Sequence, residues 1–503
     1  MKSSNPLTKL QQILRKTPLV VLLFLLFLPS FFFAACSSTK YIPEDEYLLN
    51  KTRILDDTRD IGREEYRNYI KQKPNKKVLF WKFYLSLYNL SRKEKDSGLS
   101  GWLKRIGEPP VVFDPDLTDN SREQLELLLQ NKGYFNAEVK DSVTLKKEKA
   151  NVTYIIQSGK PYTIRTIDYF FEDASLSSLV MGDTASSEIR PGDRFDVDAL
   201  QNERIRIEYI MRNNGYYNFT RDFIYYEIDS SLNSNQLDIL LGVRNFPVTD
   251  ERGRVRQTRH AVYTVDSVFI RTDYTMKRKS ASGDADRLRS DTLKYANTYL
   301  ISRGESNINP GLVTQKNYII PGDIYNASRV QRTYRNLTEL SAYRLVDINF
   351  YEEENGENAL TCEINLFPAT RQAITGGIEG TNSEGNIGAR GNLSYQHRNL
   401  FGGSEQFEFT VTGAIETLRE SNDPEFNTMQ EIGAEARLDV PQFLLPFKTE
   451  QFIRKFNPRT SLNLVYSYQK RPDFTRSTFR GGFGYQWRGN RYLTHNVYHL
   501  RSA

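Results

Sequence analysis

Two spacings of apolar residues divide this chain. From Arg371 onward the period is two, the spacing of a strand with one oily face. Phe407, Phe409, Val411, Gly413 and Ile415 alternate with Glu408, Thr410 and Thr412. Ile432, Ala434, Ala436, Leu438 and Val440 alternate with Gly433, Glu435, Arg437 and Asp439, and Phe479, Gly481, Phe483, Tyr485 and Trp487 with Arg480, Gly482, Gly484, Gln486 and Arg488. With further strands expected at 372–380, 387–395 and 461–468, the set numbers about six, each of roughly the 9 to 11 residues that cross a bilayer at a tilt. A soluble sandwich with its oily face inward would alternate in the same way. The polar positions, however, are dense in Arg, Glu and Asp, and Tyr, Trp and Phe gather at strand ends like an interfacial girdle. Every backbone group must be paired in a bilayer, so the strands are read as the opening part of a closed barrel. The smallest such barrels need about eight strands, and a truncated or fragmentary form is therefore expected.

Upstream, between Tyr41 and Thr370, helical spacing replaces alternation. Val197, Leu200, Ile207 and Met211 form a stripe behind the potential caps Asp196 and Asp198, and the segment ends Asn213-Asn214-Gly215-Tyr216-Tyr217. The segment 125–135 closes in the same way, on Asn131-Lys132-Gly133-Tyr134-Phe135, about 80 residues earlier, which is a domain-sized period. Gly133 and Gly215 suit helix C′ positions, where a positive φ is cheap for glycine. A third copy begins Pro321-Gly322-Asp323, echoing Pro191-Gly192-Asp193, carries Val330, Tyr334 and Leu337 on one helical face, and ends Ser341-Ala342-Tyr343 without the glycine. A strand is expected before each copy (47–55, 162–171, 262–271) and two after it (137–144 with 151–157, 219–229 with 236–243, 345–351 with 359–367). The order is strand, helix, helix, strand, strand. The first copy alone carries an insertion, 71–110, whose stretch Lys76-Lys77-Val78-Leu79-Phe80-Trp81-Lys82-Phe83-Tyr84-Leu85 has no clean helical moment. Burial or a partner contact is the preferred reading, with a membrane interface as the other.

The N-terminus is a third kind of sequence. Lys2, Lys9, Arg15 and Lys16 stand without an acidic residue before an apolar run from Pro18 to Ala35, as in a secretory leader. An uncleaved membrane helix would need about 18 such residues, but Pro29 and the small residues before Cys36 favour cleavage. The expected organisation is a signal peptide at 1–35, repeat units at 36–160, 161–246 and 260–368, and partial barrel strands at 371–503.

Composition narrows the class. A mean hydropathy of -0.58 argues against a bundle of membrane helices, while 30 Tyr and 29 Phe suit β-structure at a membrane interface. The net charge of +6 gives no case for nucleic acid, and two cysteines, Cys36 and Cys362, make no disulfide framework. Cys362 lies in an alternating strand as a small buried residue. Neither H-E-x-x-H, G-x-S-x-G, a P-loop nor G-x-G-x-x-G occurs, so no enzyme activity, cofactor or catalytic residue is expected. Of the four histidines, His260, His397, His495 and His499, only the last two share a helical spacing, and they fall in a strand-rich region, so no metal is expected either.

Three stretches carry a resemblance. Phe33-Ala34-Ala35-Cys36-Ser37-Ser38 resembles the lipobox of bacterial lipoproteins, with Phe33 in place of the usual aliphatic residue, and implies acylation of Cys36. The repeated order with its Gly-Tyr-Phe or Gly-Tyr-Tyr ending resembles POTRA domains. Tyr395-Gln396-His397-Arg398-Asn399-Leu400-Phe401-Gly402-Gly403-Ser404-Glu405 looks like the second-strand hairpin of the BamA/TamA superfamily. With Cys36-Ser37-Ser38-Thr39-Lys40-Tyr41-Ile42-Pro43 and Tyr47-Leu48-Leu49-Asn50, the resemblance is to the TamL-type lipoprotein branch of that superfamily, the Bacteroidota type. It implies an α+β then all-β fold: tandem POTRA domains, then the first strands of an antiparallel outer-membrane barrel. It also implies an assembly or translocation factor whose partners are unfolded outer-membrane protein clients, outer-membrane lipid and a TamB-like periplasm-spanning protein. Client strands would add to exposed sheet edges and to the first barrel strand, here Gln372, Ile374, Gly376, Ile378 and Gly380, weakened by its glycines. Asn399, Leu400, Phe401, Gly402 and Gly403 would form the hairpin, with Gly402 and Gly403 allowing the tight turn. A two-partner-secretion porin and a membrane-anchored periplasmic scaffold are the alternatives.

Overall fold

The computed structural model describes residues 38–502, apart from 59, 79–80, 93–96, 233, 251, 275–290, 296–297, 303–307, 354–357, 384–385, 419–426, 445–449 and 490–492. The leader and Cys36 lie outside the described residues. The chain divides into two compact units, 1–170 with 184–204 and 224–243, and 171–183 with 205–223 and 244–503.

In the first unit, the first copy runs β1 (Leu48–Asp56), α1 (Arg63–Tyr69), α2 (Phe83–Leu90), α3 (Gly98–Ile106), α4 (Pro115–Asn131), β2 (Glu138–Lys146) and β3 (Lys149–Gln157). Central β3 is parallel to β1 and antiparallel to β2. Alternate residues Val152, Tyr154 and Ile156 of β3 turn to one face and bury against Tyr66 of α1 and Leu125, Leu128 and Leu129 of α4. The apolar stripe marks only the C-terminal half of α4. Its polar first half is helical because Asp114 accepts the Asp116 and Leu117 amides and Pro115 opens the first turn.

The second copy is β4 (Thr163–Phe171), α5 (Ala174–Met181), α6 (Val197–Asn213), β5 (Ile224–Asp229) and β6 (Gln236–Val243), with sheet order β4-β6-β5. Ile164, Phe195, Leu200, Leu237 and Ile239 bury together. The strand expected from Phe219 starts only at Ile224, because 221–223 turn as a short 3-10 helix. A small hairpin follows, β7 (Phe246–Thr249) with β8 (Val255–Thr258).

The third copy contains β9 (Thr264–Arg271), β10 (Asp291–Tyr295), β11 (Thr298–Ser302), α7 (Pro310–Lys316), α8 (Ala327–Thr338), β12 (Tyr343–Glu352) and β13 (Ala359–Pro368). Its sheet order is β10-β11-β9-β13-β12, two strands more than the pattern predicts. β10 and β11 are five residues each, too short for alternation to register in the sequence; β11 pairs with β9, buries Leu300 in the core and stacks Tyr299 on Phe269. Val268, Ile270, Ile364 and Leu366 pack with Leu312, Val313 and Leu337, and Cys362 is a free buried thiol among them whose ionisation burial pushes up.

Beyond Pro368 the chain forms one antiparallel sheet in chain order: β14 (Gln372–Ser383), β15 (Asn386–Arg398), β16 (Gln406–Leu418), β17 (Asn427–Val440), β18 (Arg459–Lys470), β19 (Thr475–Arg488) and β20 (Thr494–Ser502), with α9 (Glu450–Phe456) before β18. The sheet does not close: among the described residues β14 and β20 each keep one unpaired edge. The α+β then all-β class is as expected, but the count is seven, not six, and β14 is already 12 residues and β17 14. Backbone pairing carries the strands past the point where alternation fades. β20 escapes the pattern because Tyr498 and Leu500 are out of phase with Val497, which alone shares the oily face with Tyr485. Tyr498 and Leu500 stand opposite Gly484 and Gly482, on the polar face, and fill the space those glycines leave.

Candidate strand-docking surfaces

One backbone device joins the repeated copies. In the first unit the Gly133 carbonyl accepts the Tyr162 amide at 2.8 Å, and the Tyr162 carbonyl accepts the Phe195 amide at 2.9 Å. In the second unit Gly215 accepts from Tyr263, and Tyr263 from Tyr325, both at 2.9 Å. Phe135 packs on Tyr162 and Phe195, and Tyr217 on Tyr263 and Tyr325, with ring centroids 4.9 to 5.8 Å apart. The Gly-Tyr-aromatic ending is therefore the joint to the next copy as well as a helix stop. A Cβ on Gly133 would stand 2.6 Å from the Phe195 carbonyl oxygen, and one on Gly215 2.6 Å from side-chain carbons of Ile324 and Val262. The third copy keeps the bond without the glycine: the Ala342 carbonyl accepts the Ala369 amide at 2.8 Å, and Ala342 has no positive φ. The Pro-Gly-Asp turns recur just as closely, Gly192 donating to Ile164 and Gly322 to Val265, each at 2.7 Å.

Ion pairs reinforce the joints. Lys132, nearly buried, reaches Glu65, Asp196 and Asp198 at 3.3, 3.0 and 2.8 Å. Burial disfavours its charge, but the hydrogen bonds to Asp198 and Asp196 outweigh this and hold the ammonium above its ordinary range. Between the third copy and the large sheet, Glu339 accepts from Arg459 at 2.9 Å, Arg488 at 3.3 Å and Asn457 at 2.6 Å, and buried Lys316 donates to the Pro441 carbonyl and Asn457. No sequence motif announces Lys316 or Glu339.

The asparagine-to-glycine hairpin belongs to this last joint. Asn399 and Gly402 have positive φ, of 69° and 90°, and so does Ser404, at 59°. Gly403 does not, so the turn rests on Asn399, Gly402 and Ser404 and not on the glycine pair. The Glu405 carboxylate accepts the amides of Phe401 and Gly403, and Asn399 Oδ1 accepts that of Ser404. The Gly402 carbonyl accepts the Asn309 amide at the start of α7, and Ser404 Oγ accepts that of Ala342. Leu400 is half-exposed and Phe401 is 77% exposed, so neither contributes to a core.

Two of the free sheet edges, those of β14 and β12, combine unpaired backbone with exposed apolar side chains. β14 bonds only β15, Gln372 opposite His397, Ile374 opposite Tyr395, Gly376 opposite Leu393, Ile378 opposite Gly391 and Gly380 opposite Ala389. Its other edge carries no strand among the described residues. Ile374 and Ile378 are 74% and 90% exposed, and the same face continues through Leu393, Val411, Ile432, Leu464 and Phe479, all exposed. A soluble sandwich would cover that face. The second edge is β12, whose free side borders a groove of about 480 Å³ walled by Ala327, Val330, Gln331 and Tyr334 of α8 and by Tyr209 and Arg212. Arg212 donates to the Tyr325 hydroxyl at 3.0 Å, and its buried Nε has no acceptor among the described residues. Charge and spacing in the sequence give no hint of this groove, because its walls lie more than a hundred residues apart.

With this geometry in place, residues 49–159 match the family model POTRA, described as surface antigen variable number repeat. The first copy is a POTRA domain. Its order of strand, helices and two strands recurs in the second copy, and in the third with β10 and β11 added, so the fold is a tandem of POTRA-like domains followed by an open antiparallel sheet. Among solved structures, POTRA3–5 of BamA from Haemophilus influenzae is 14% identical, covering 65% of this chain and 99% of that one at a TM-score of 0.31. BamA from Haemophilus ducreyi lacking POTRA domains 1–3 is 12% identical over 68% of this chain and 64% of that one, at 0.32. CdiB from Acinetobacter baumannii is 11% identical over 68% and 62%, at 0.26. No curated protein matches the chain.

Proposed function

We propose that this chain is an outer-membrane assembly or translocation factor of the TamL type, anchored by acyl chains on Cys36, with its POTRA domains in the periplasm. The observation that supports this most is the open seven-stranded sheet, oily and uncovered on one face, immediately after tandem POTRA domains. A membrane removes that face from water, and the unpaired edge of β14 then offers amides and carbonyls to an incoming client strand. The glycines of β14 limit how tightly its own side chains hold the edge. The β12 groove is a second place for an extended client segment: backbone bonds form along the edge, and alternate side chains drop against Val330 and Tyr334. A TamB-like partner would receive or supply clients at the POTRA domains. The test is site-specific photo-crosslinking of unfolded outer-membrane protein from Ile374, Ile378, Asp347 and Tyr334, with exposed Leu127 on α4 as control. Capture from the two edges and not from Leu127 is expected, and equal yields at all five positions would refute edge capture.

A further inference from the structure

The insertion of the first POTRA domain folds into a helical hairpin that leaves an apolar stripe uncovered. On α3, Leu99, Trp102 and Ile106 recur at the three- and four-residue spacing of one helix face and are 73%, 52% and 41% exposed. Lys104 and Arg105 follow on the same helix. On α2 Leu85 is buried, while Phe83, Tyr84 and Leu90 stay exposed. The burial expected for this segment thus holds for one side only.

Charge on the hairpin is one-sided. Residues 71–110 hold ten Lys and Arg against three acidic residues, Glu94, Asp96 and Glu108, a surplus of +7 in a chain whose total is +6. An apolar helix face bordered by cations matches an anionic lipid surface, apolar side chains below and ammonium groups at the headgroups.

The hairpin is also fastened to the start of the mature chain. Lys40 Nζ donates to the carbonyls of Asn89 and Ser91 at 2.7 and 3.2 Å, at the end of α2. The Tyr41 hydroxyl donates to Ser91 as well, and its ring meets Tyr88 edge-on at 5.7 Å. Ser100 of α3 in turn accepts the Arg92 amide at 2.8 Å. In the sequence Cys36 stands only four residues before Lys40. An acyl chain on Cys36 would therefore enter the bilayer beside this hairpin.

We infer that the α2–α3 hairpin is a membrane-docking element that lays Leu99, Trp102 and Ile106 into an anionic phospholipid surface next to the acylated N-terminus. The inference rests on the lipid-anchor reading above for the side of the domain that meets the membrane. A lipid anchor alone lets the domain swivel about one point, and a second contact fixes which way the POTRA edges face.

The test uses the full chain with Trp81→Phe and Trp487→Phe, which leaves Trp102 as its sole tryptophan. It is reconstituted into phosphatidylethanolamine–phosphatidylglycerol vesicles with or without brominated acyl chains. Trp102 emission is expected to shift to the blue and to fall about twofold with bromine, and to lose both responses when Leu99→Ser and Ile106→Ser are added. Emission at the wavelength of a solvated indole, indifferent to bromine, overturns the inference. So does emission that is blue-shifted without lipid and unquenched, which marks a protein cover. Incorporation of labelled palmitate, measured in parallel on wild-type and Cys36→Ser protein, reads the anchor separately. Label without quenching refutes the hairpin and leaves the anchor, while quenching without label refutes the anchor and leaves the hairpin.

Discussion

Gly133→Ala is expected to open the joint between the first two POTRA domains, whereas Gly159→Ala, an equally left-handed glycine, is not. Both have positive φ, 86° and 69°, so each substitution carries a conformational cost of about 1 kcal/mol. Nothing lies within 4 Å of a Cβ at Gly159, but at Gly133 the Phe195 carbonyl oxygen is 2.6 Å away. That oxygen must retreat, and Phe195 carries the joint with it. Its amide bond to Tyr162, about 1 kcal/mol, and the contact of its ring with Phe135, about 1 kcal/mol, are weakened together. The difference between the two variants is about 2 kcal/mol, roughly a 30-fold change in the opening equilibrium. Native-state hydrogen exchange on the full chain, read on peptides containing the amides of Tyr162 and Phe195, measures this opening directly. Equal loss of protection in both variants, or none in Gly133→Ala, would show that the close approach does not hold the joint.

Three further outcomes are expected. Lys132→Met removes the cation shared by Glu65 and Asp196, leaving Asp196 only its longer pair with Arg194 at 3.9 Å, and should cost about 2 kcal/mol, measured as proteolytic cutting between the two domains; a variant as resistant as wild type contradicts the role of the pairs. Burial pushes the Lys316 ammonium down to about 8, below its ordinary value of 10.5. Between pH 8 and 10.5 the unfolded chain therefore binds a proton that the folded chain has released, so this group makes stability rise with pH across that window, by roughly 3 kcal/mol in all, and level off above it. Denaturant melts at pH 7.5 and 10 should show that wild type gains on Lys316→Met as pH increases, and a constant difference would count against it. Glu405→Ala removes the acceptor for the Phe401 and Gly403 amides and should cost about 1 to 2 kcal/mol at the β15–β16 turn, seen as faster exchange of those amides with the rest of the sheet unchanged.

What the amino-acid sequence determines on its own is whatever depends on near neighbours along the chain. Alternation over Phe407 to Ile415 already says strand with one oily face, and Gly133 and Gly215 already say helix stop, because strand faces and positive φ are set within a few residues. The Pro-Gly-Asp turns and the three-fold repeat follow from the same kind of signal. The phase of Tyr498 and Leu500 against Gly484 and Gly482, by contrast, exists only once β20 lies beside β19, which is why that strand has no signature of its own. β10 and β11 are likewise strands by virtue of β9. The groove beside β12, the Glu339 cluster and the grip of Lys40 on α2 each join residues about fifty to a hundred and fifty positions apart, beyond the reach of any local pattern. Tertiary structure also decided the second task of Gly133: the helix stop is local, but the need for a bare Cα comes from the Phe195 carbonyl of the next domain, packed too close for a methyl group.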